Sequence, residues 1–320
     1  MSTVIHIDRN TAARRHARLT LGPVLFNWPA EAWRDFYFRI ADEAPVDAVY
    51  VGEVVCAKRL PFFAPHVPAV VERLRAAGKD VLLSTLALVM TERETAMIRD
   101  LAEDGQFLVE ANDVAALSLL SGRMHVVGPY INVYNEDTLA ALAKRGAVRV
   151  VLPWEVPAAA LRCLATGEIP LEVQVFGRAP LAISARCYHA RIENLHKDGC
   201  RFVCERDPDG LAVETIEGQP FLAVNGVQTL SHACVSLAAH LDQLLGMGIE
   251  HFRLSPQRID MVAVARLFRS LLAGRVAAEE ANAELRRLSG GMPLSDGFYR
   301  GLPGATLVAG PVQTGAGAQE

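Results

Sequence analysis

The chain has 320 residues, of which 51% are hydrophobic, enough to bury the core of one barrel-sized domain or of two smaller ones. Its 32 Lys and Arg against 36 Asp and Glu give a formal net charge of −4, so no nucleic-acid or anionic membrane partner is expected. Six cysteines are too few for a disulfide scaffold, and no secretory signal is recognisable, so we expect reduced thiols in a cytoplasmic protein.

No transmembrane segment is expected either. The longest apolar run, Val81–Met90, has 10 residues. A bilayer-spanning helix needs about 20.

Short apolar runs alternate with amphipathic stretches along the chain. The runs predict strands at Leu19–Phe26, Ala48–Val51, Val81–Leu86, Phe107–Glu110, His125–Val127, Val148–Leu152, Leu171–Phe176 and His251–Leu254. Helices are predicted around the stripes Trp33/Phe36/Tyr37/Ile40, Val67/Val70/Val71/Leu74 and Val264/Leu267/Phe268/Leu271, and at Thr91–Ala102, Asp113–Leu120, Glu136–Arg145, Ala158–Ala165 and Ser236–Leu245. Eight such units favour an α/β fold with a TIM-like (β/α) barrel, and a doubly wound sheet is the alternative.

The alternation stops between residues 188 and 224, where the turn sequences DPDG and EGQP separate short apolar pieces. We therefore expect an insertion at 188–224, after the seventh strand, that forms an irregular lobe or a hairpin. The segment 303–320 is mostly Gly, Ala, Pro, Gln and Thr, which predicts a disordered tail. The organisation expected is an N-terminal extension at 1–18 and a single barrel domain at 19–302.

Half of the cysteines lie in one stretch near the seventh strand: Cys187, Cys200 and Cys204. If residues 198–205 are helical, Cys200 and Cys204 share one face, and Cys187 can loop back towards them. Clustered thiolates select zinc or iron–sulfur clusters over hard cations. The alternatives are a structural zinc site and three buried structural cysteines.

A fourth thiolate is expected from the rim of the barrel. Cys56 follows the strand Ala48–Val51 as Cys187 follows Leu171–Phe176, so both should lie at the carboxyl ends of strands, where TIM barrels carry their sites. Cys163 and Cys234 lie beside apolar neighbours and are predicted to be core residues.

Charged residues flank Cys56. Glu53, Lys58 and Arg59 would lie on the same rim. There they would orient an anionic substrate or form hydrogen bonds with the cluster sulfurs, for which Lys58 and Arg59 are the donors, or they would form an ordinary surface salt bridge. His189 and His196 are candidate ligands or proton donors, or solvated loop residues.

The same stretch resembles the signature of the U32, or collagenase-like, peptidase family, on Glu172, Phe176, Gly177, Ser184 and Cys187. The family's usual pattern has a further cysteine where this chain has Pro180, and Cys56 in the sequence GEVVCAKR resembles a replacement for it. Further matches are Tyr50–Glu53, Asn132–Asn135 and Ser295–Gly301.

In having Cys56 in place of the usual cysteine, the chain is similar to a subgroup of the family that acts in oxygen-independent ubiquinone biosynthesis. This resemblance implies a [4Fe–4S] cluster on Cys56, Cys187, Cys200 and Cys204. It also implies a heterodimer with a paralogous partner that supports hydroxylation of a prenylated aromatic ubiquinone precursor without dioxygen. The alternatives are an iron–sulfur scaffold or electron relay without its own substrate site, and an RNA-base hydroxylase. Peptidase activity is the weakest interpretation, because the chain has no His-Glu-x-x-His or Gly-x-Ser-x-Gly motif.

Overall fold

The computed structural model describes residues 13, 14 and 16–308. Its strands are β1 Arg18–Leu21, β2 Ala48–Val51, β3 Asp80–Ser84, β4 Leu108–Ala111, β5 His125–Val127, β6 Ala147–Val151, β7 Leu171–Ile183, β8 Leu211–Glu214, β9 Pro220–Asn225, β10 Gln228–Ser236, β11 His251–Leu254 and β12 Leu294–Ser295. Strands β1 to β7 pair in sequence order and in parallel. Strand β11 pairs in parallel with both β7 and β1, which closes the sheet. The predicted TIM-like barrel is therefore confirmed, and the doubly wound sheet is excluded.

Helices surround the barrel. They are α1 Ala30–Glu43, α2 Leu60–Phe63, α3 Val67–Ala76, α4 Glu92–Asp104, α5 Val114–Leu119, α6 Glu136–Lys144, α7 Ala158–Leu164, α8 Tyr188–Ile192, α9 Leu241–Gly246, α10 Met261–Leu272, α11 Ala278–Leu288 and α12 Gly297–Arg300. The predicted apolar stripes face inward: Trp33, Tyr37 and Ile40 of α1 are each at most 1% exposed. Burial of these faces against the strands forms the main apolar core.

The inside of the barrel is polar at its centre. The hydroxyl of Tyr50 donates to Glu172 Oε2 at 2.7 Å, and Arg253 Nε donates to Glu172 Oε1 at 2.6 Å. Arg253 Nη2 also lies 2.7 Å from Glu110 Oε1. Burial raises the pKa of Glu172, but the guanidinium groups of Arg253 and Arg149 outweigh it and hold this pKa at about 2. Two residues of separate family motifs, Tyr50 and Glu172, thus meet inside the barrel.

The insertion after the seventh strand is more regular than predicted. Strand β7 does not end at Phe176 but continues to Ile183, and β10 pairs with it antiparallel. Strands β9 and β8 add to β10, so the sheet order continues from β7 through β10 and β9 to β8. This antiparallel extension, residues 177–236, packs against the barrel, and its residues Ala223, Leu230 and Cys234 belong to the main apolar core.

The helix predicted at Ser236–Leu245 is wrong in its first part. Residue Ser236 is the last of strand β10 and pairs with Phe176, and the helix α9 begins only at Leu241. Pairing with the extended β7 places residues 228–236 in a sheet, and tertiary context overrides the helical pattern.

The chain after α12 returns to the barrel. Asp296 N donates to Thr306 O at 2.9 Å, and Val308 N donates to Asp296 Oδ1 at 3.0 Å. Residues 303–308 of the predicted tail are therefore hydrogen-bonded to the start of α12. The rest of that tail, 309–320, and most of the predicted N-terminal extension lie outside the described residues. Within the described part of the chain, no helix has the length and apolarity to cross a bilayer.

Candidate functional site

Four cysteines from three separate segments line one cavity at the rim of the barrel. Cys56 follows β2, Cys187 follows β7, and Cys200 and Cys204 come from the loop between α8 and β8. Basic, aromatic and apolar residues complete the walls: Lys58, Arg59, Lys197, Phe202, Val203 and Gly226. The cysteines expected to act together are therefore neighbours in the fold.

The loop that carries Cys56 is held by Glu53. Its Oε1 accepts the backbone N–H groups of Val55 and Cys56, each at 2.8 Å. Gly52, just before it, has φ +148°, and a Cβ there would lie 2.4 Å from Ser84 O. Only glycine can adopt this backbone conformation without a steric clash, so Gly52 determines the direction in which the chain continues after β2.

Cys187 directly precedes the short helix α8. Its Sγ accepts the N–H of Ala190 at 3.4 Å, in the position of an N-cap side chain. Cys56 and Cys187 also pack against the same small apolar cluster, formed by Leu25, Val54, Val55 and Val227. The two thiols that follow barrel strands therefore share one apolar support.

The predicted helix across Cys200 and Cys204 is wrong. Two short 3₁₀ turns, Lys197–Gly199 and Val203–Arg206, flank Arg201 and Phe202, which have φ +50° and +54°. Left-handed residues interrupt the helical hydrogen-bond pattern. The ring of Phe202 packs edge-on against Phe62, with centroids 4.7 Å apart, and this tertiary contact helps to offset the strain.

Arg59 is a buried cation in the wall of the four-cysteine cavity. Its side chain is 1% exposed, and Nη2 lies 3.6 Å from Cys204 Sγ. The guanidinium donates to Asn225 Oδ1 at 2.7 Å and to Leu25 O at 3.2 Å. Its carboxylate neighbour is Glu53, at 3.8 Å and 2% exposed. The interpretation of Glu53 and Arg59 as a surface salt bridge is therefore wrong, because both are buried.

Lys58, in contrast to Arg59, forms its ion pair at the surface. Its Nζ lies 3.1 Å from Asp198 Oδ1, and the Asp198 side chain is 80% exposed, so this pair is an ordinary surface salt bridge. The same Nζ donates to Lys197 O at 2.7 Å, which ties the Cys56 loop to the Cys200 loop.

Burial and the nearby charge of Arg59 shift the pKa of the thiols in opposite directions. Burial raises the pKa of Cys56 and of Cys187, and the positive charge of Arg59 acts in the other direction at both. Burial also raises the pKa of Glu53, against the effect of Arg59. Asn27 Nδ2 donates to Cys204 Sγ at 3.4 Å. Burial outweighs Arg59 at Cys56 and Cys187, so the pKa of each thiol stays above its ordinary value, and the cation and the N–H donors offset only part of the cost of a thiolate.

By its chemistry, the donor set suits a soft metal or an iron–sulfur cluster. Four thiols, a buried cation and N–H groups directed at sulfur are the features that hold such clusters and tune their potential. Within the described ranges, no three Cys, His, Asp or Glu side chains are close enough to hold a single metal ion as they stand.

An open depression lies beside the four-cysteine cavity. It has a volume of about 620 Å³, within the usual range for ligand sites, and Cys56 and Cys187 line it. Its walls include apolar side chains such as Val55, Leu88 and Leu195. Basic residues on its rim are Lys58, Arg186, Arg191 and Lys197. The residues that line the depression come from four segments, 55–58, 88–94, 185–198 and 227, so no local sequence pattern reveals it.

The remaining cysteine and histidine candidates are not among the residues that line the four-cysteine cavity. Cys163 is exposed on α7, so its prediction as a core residue is wrong, whereas Cys234 is 0% exposed in β10 and is a core residue as predicted. His189 is buried, and its Nε2 lies 2.8 Å from Asp207 Oδ2, which gives it a structural role. His196 is exposed and lines the depression.

Fold and site together define a TIM-type barrel protein with a thiol-lined cavity at the carboxyl ends of its strands. The chain belongs to Peptidase family U32, whose model matches residues 36–308. The resemblance noted from the sequence is therefore confirmed at the level of the family.

Among solved structures, the chain is similar to tryptophan synthase from M. tuberculosis, with 14% identity, a TM-score of 0.41 and coverage of 85% of this chain and 97% of that one. It is also similar to tryptophan synthase from Pyrococcus furiosus, with 14% identity, a TM-score of 0.41 and coverage of 86% and 99%. Similarity at this level says nothing about function.

Proposed function

We propose that this protein carries a [4Fe–4S] cluster on Cys56, Cys187, Cys200 and Cys204. The observation that supports this most is that the four cysteines, which come from three separate chain segments, line one cavity together with the buried Arg59. Thiolates favour zinc and iron–sulfur clusters, and ligands spread over the barrel rim fit a cluster better than a zinc knuckle with short paired spacings.

Charge is the second support for the cluster. Four thiolates bring negative charge into a buried place, which is costly unless it is compensated. Arg59 supplies a permanent cation 3.6 Å from Cys204 Sγ, and Asn27 and Ala190 donate N–H groups to sulfur. Hydrogen bonds and nearby charges of this kind set the stability and potential of such a cluster.

We further propose that the protein acts like UbiV, which it resembles through Cys56 in place of the cysteine expected at Pro180. UbiV works with its paralogue UbiU in oxygen-independent ubiquinone biosynthesis, and by this resemblance a UbiU-like subunit is the partner. The reaction proposed is hydroxylation of the prenylated aromatic ring of a ubiquinone precursor without dioxygen. The bound cluster would supply electron transfer or activation of an oxygen donor.

The chain's own residues have three tasks in this proposal. The depression above Cys56 and Cys187 holds the reacting molecule beside the thiol site. Its apolar walls exclude water, and the basic side chains of Arg186 and Arg191 on its rim attract negatively charged groups. Glu53 fixes the Cys56 loop through two backbone N–H groups and so keeps that thiol in place.

The direct test is anaerobic purification followed by iron and sulfide analysis, ultraviolet–visible spectra and EPR. We expect about four iron and four sulfide per chain. Cys56→Ala should lose most of both. Cys163→Ala, which removes an exposed cysteine far from the cavity, is the matched control and should keep them. About one zinc per chain without sulfide would refute the cluster and leave a zinc-stabilised barrel.

The hydroxylase part has its own test. The loaded protein and its UbiU-like partner would be incubated anaerobically with a photoreactive prenylated phenol. Crosslinking to this chain supports a substrate site here. Crosslinking to the partner alone would refute that site and reduce this chain to an electron relay or scaffold.

A further inference from the structure

A second cavity lies on the outside of the barrel, between α2 and α3 on one side and α4 on the other. Its volume is about 170 Å³. Aliphatic and thioether side chains make up most of the wall: Val51, Leu60, Val67, Leu83, Leu86, Met97, Ile98 and Leu101. We refer to it as the helix-gap cavity.

The polar side chains of this cavity are hydrogen-bonded to other groups. Ser84 Oγ donates to Glu110 Oε2 at 2.6 Å, and Thr85 Oγ1 donates to Glu110 O at 3.0 Å. Glu94 Oε2 accepts the backbone N–H groups of Met90 and Thr91, at 2.7 and 2.9 Å. Ser84, Thr85 and one oxygen of Glu94 are thus bonded to the protein itself, so a polar ligand would find few free partners among them.

The same is true of Glu53, the remaining charged residue of the wall. Its carboxylate is directed at the Cys56 loop and Arg59, as described above. The cavity therefore selects an apolar group. Its size agrees with this, because an apolar cavity of about 150 Å³ is sufficient to hold benzene. A branched unit of about five carbons is of similar size.

The helix-gap cavity shares two residues with the thiol site. Glu94 lines both this cavity and the depression above Cys56 and Cys187. Glu53 lines the cavity, and its carboxylate fixes the N–H of Cys56. Glu94 therefore lies between the depression and the helix-gap cavity, which makes the two neighbours.

We propose that the helix-gap cavity binds the hydrocarbon chain of the molecule whose reacting group lies in the depression. The inference rests on the proposed function, because it takes the depression as the substrate site. It adds a second binding site, lined mainly by side chains of the β2 and β3 ends and of α2, α3 and α4, that selects substrates by their chain.

The test uses full-length protein, purified anaerobically without selection for iron content, and two probes, 2-farnesylphenol and phenol. Binding of both is measured by equilibrium dialysis in wild type, Met97→Trp and Met124→Trp. Met97 is 40% exposed at the mouth of the cavity, so a larger side chain there can fill it without disturbing the core. Met124, 74% exposed and directly before β5, receives the same substitution outside the cavity and is the matched control.

We expect wild type and Met124→Trp to bind farnesylphenol at least tenfold more tightly than phenol. Met97→Trp should lose most of that preference and bind phenol as wild type does. Equal binding of the two probes by wild type, or an unchanged preference in Met97→Trp, would overturn the inference.

Iron and sulfide analysis of the same samples separates this inference from the proposed cluster. Chain-dependent binding that is sensitive to Met97→Trp in protein without iron supports the helix-gap cavity and refutes the cluster. A full cluster without chain-dependent binding supports the cluster and refutes the cavity.

Discussion

Replacing Arg59 with glutamine should destabilise the protein before any metal is bound. The guanidinium is 1% exposed and lies between Glu53, Asn225, Leu25 and Cys204. A glutamine side chain is shorter and neutral, so it cannot replace these contacts together. The change leaves the carboxylate of Glu53 buried without its cation.

The size of the effect follows from these contacts. Breaking a buried ion pair by removing one partner costs about 3–5 kcal/mol. The acceptor atoms on Asn225 and Leu25 lose a charged donor as well, at about 1–3 kcal/mol for each group left unsatisfied, although such terms do not add fully. We therefore expect the free energy of unfolding to fall by about 3–5 kcal/mol at neutral pH.

The loss should depend on pH in a defined direction. Burial already raises the pKa of Glu53 above its ordinary value, and removal of Arg59 raises it further. A carboxyl group with a raised pKa in the folded state destabilises that state as pH rises above its unfolded pKa. The deficit of Arg59→Gln relative to wild type should therefore be smallest in mild acid and grow towards neutral pH.

The assay is denaturant unfolding of metal-free protein under reducing, anaerobic conditions, for wild type, Arg59→Gln and the double variant Glu53→Gln/Arg59→Gln. The double variant removes the uncompensated charge and should recover about 1–2 kcal/mol relative to Arg59→Gln. A loss below about 1 kcal/mol in Arg59→Gln, or a double variant that is less stable than the single one, would refute the argument.

Two further predictions concern the same contacts. Gly226→Ala should lower stability and iron content, because φ is +70° and a Cβ would lie 2.5 Å from Arg59 Nη2. The control for backbone strain alone is Gly218→Ala, since Gly218 has φ +76° and a Cβ there would meet nothing within 4 Å. If both variants unfold at the same denaturant concentration, the steric argument fails. In cluster-loaded protein, Arg59→Gln should lower the reduction potential in an EPR-monitored titration, because loss of a nearby positive charge disfavours the added electron. A potential that stays the same or rises would contradict this.

The barrel was predictable from the sequence because its strands are short apolar runs and its helices carry clear stripes. Strands Ala48–Val51, His125–Val127 and His251–Leu254 lie where they were predicted. A hairpin was one of the two structures expected at 188–224, and β8 and β9 form one, but the pairing of β10 with an extended β7 was not predicted. The pairing of β10 requires β7 to continue to Ile183, and that contact joins residues about 50 positions apart in the sequence. Local patterns contain no information about such a partner.

The four cysteines were predictable as a group from their spacing and from the strands that precede two of them. The backbone that joins Cys200 to Cys204 was not, since the left-handed residues Arg201 and Phe202 depend on packing of Phe202 against Phe62. Nor did the sequence indicate Asn27 or Asn225, which contact the site from other parts of the chain. Polar residues of this kind become recognisable only when their partners are known.

The antiparallel extension explains how distant cysteines come to share one cavity. Arg59 comes from the loop after β2, whereas its acceptor Asn225 ends β9 and Gly226 begins the turn into β10. Asn225 Nδ2 in turn donates to Cys204 O at 3.1 Å, so one amide joins the cysteine loop to the guanidinium. Local opening of the extension would therefore remove both the partner of Arg59 and the anchor of Cys204. We infer that the thiol site assembles only when the extension is folded onto the barrel. The local stability of the extension would then determine how tightly the site binds the proposed cluster.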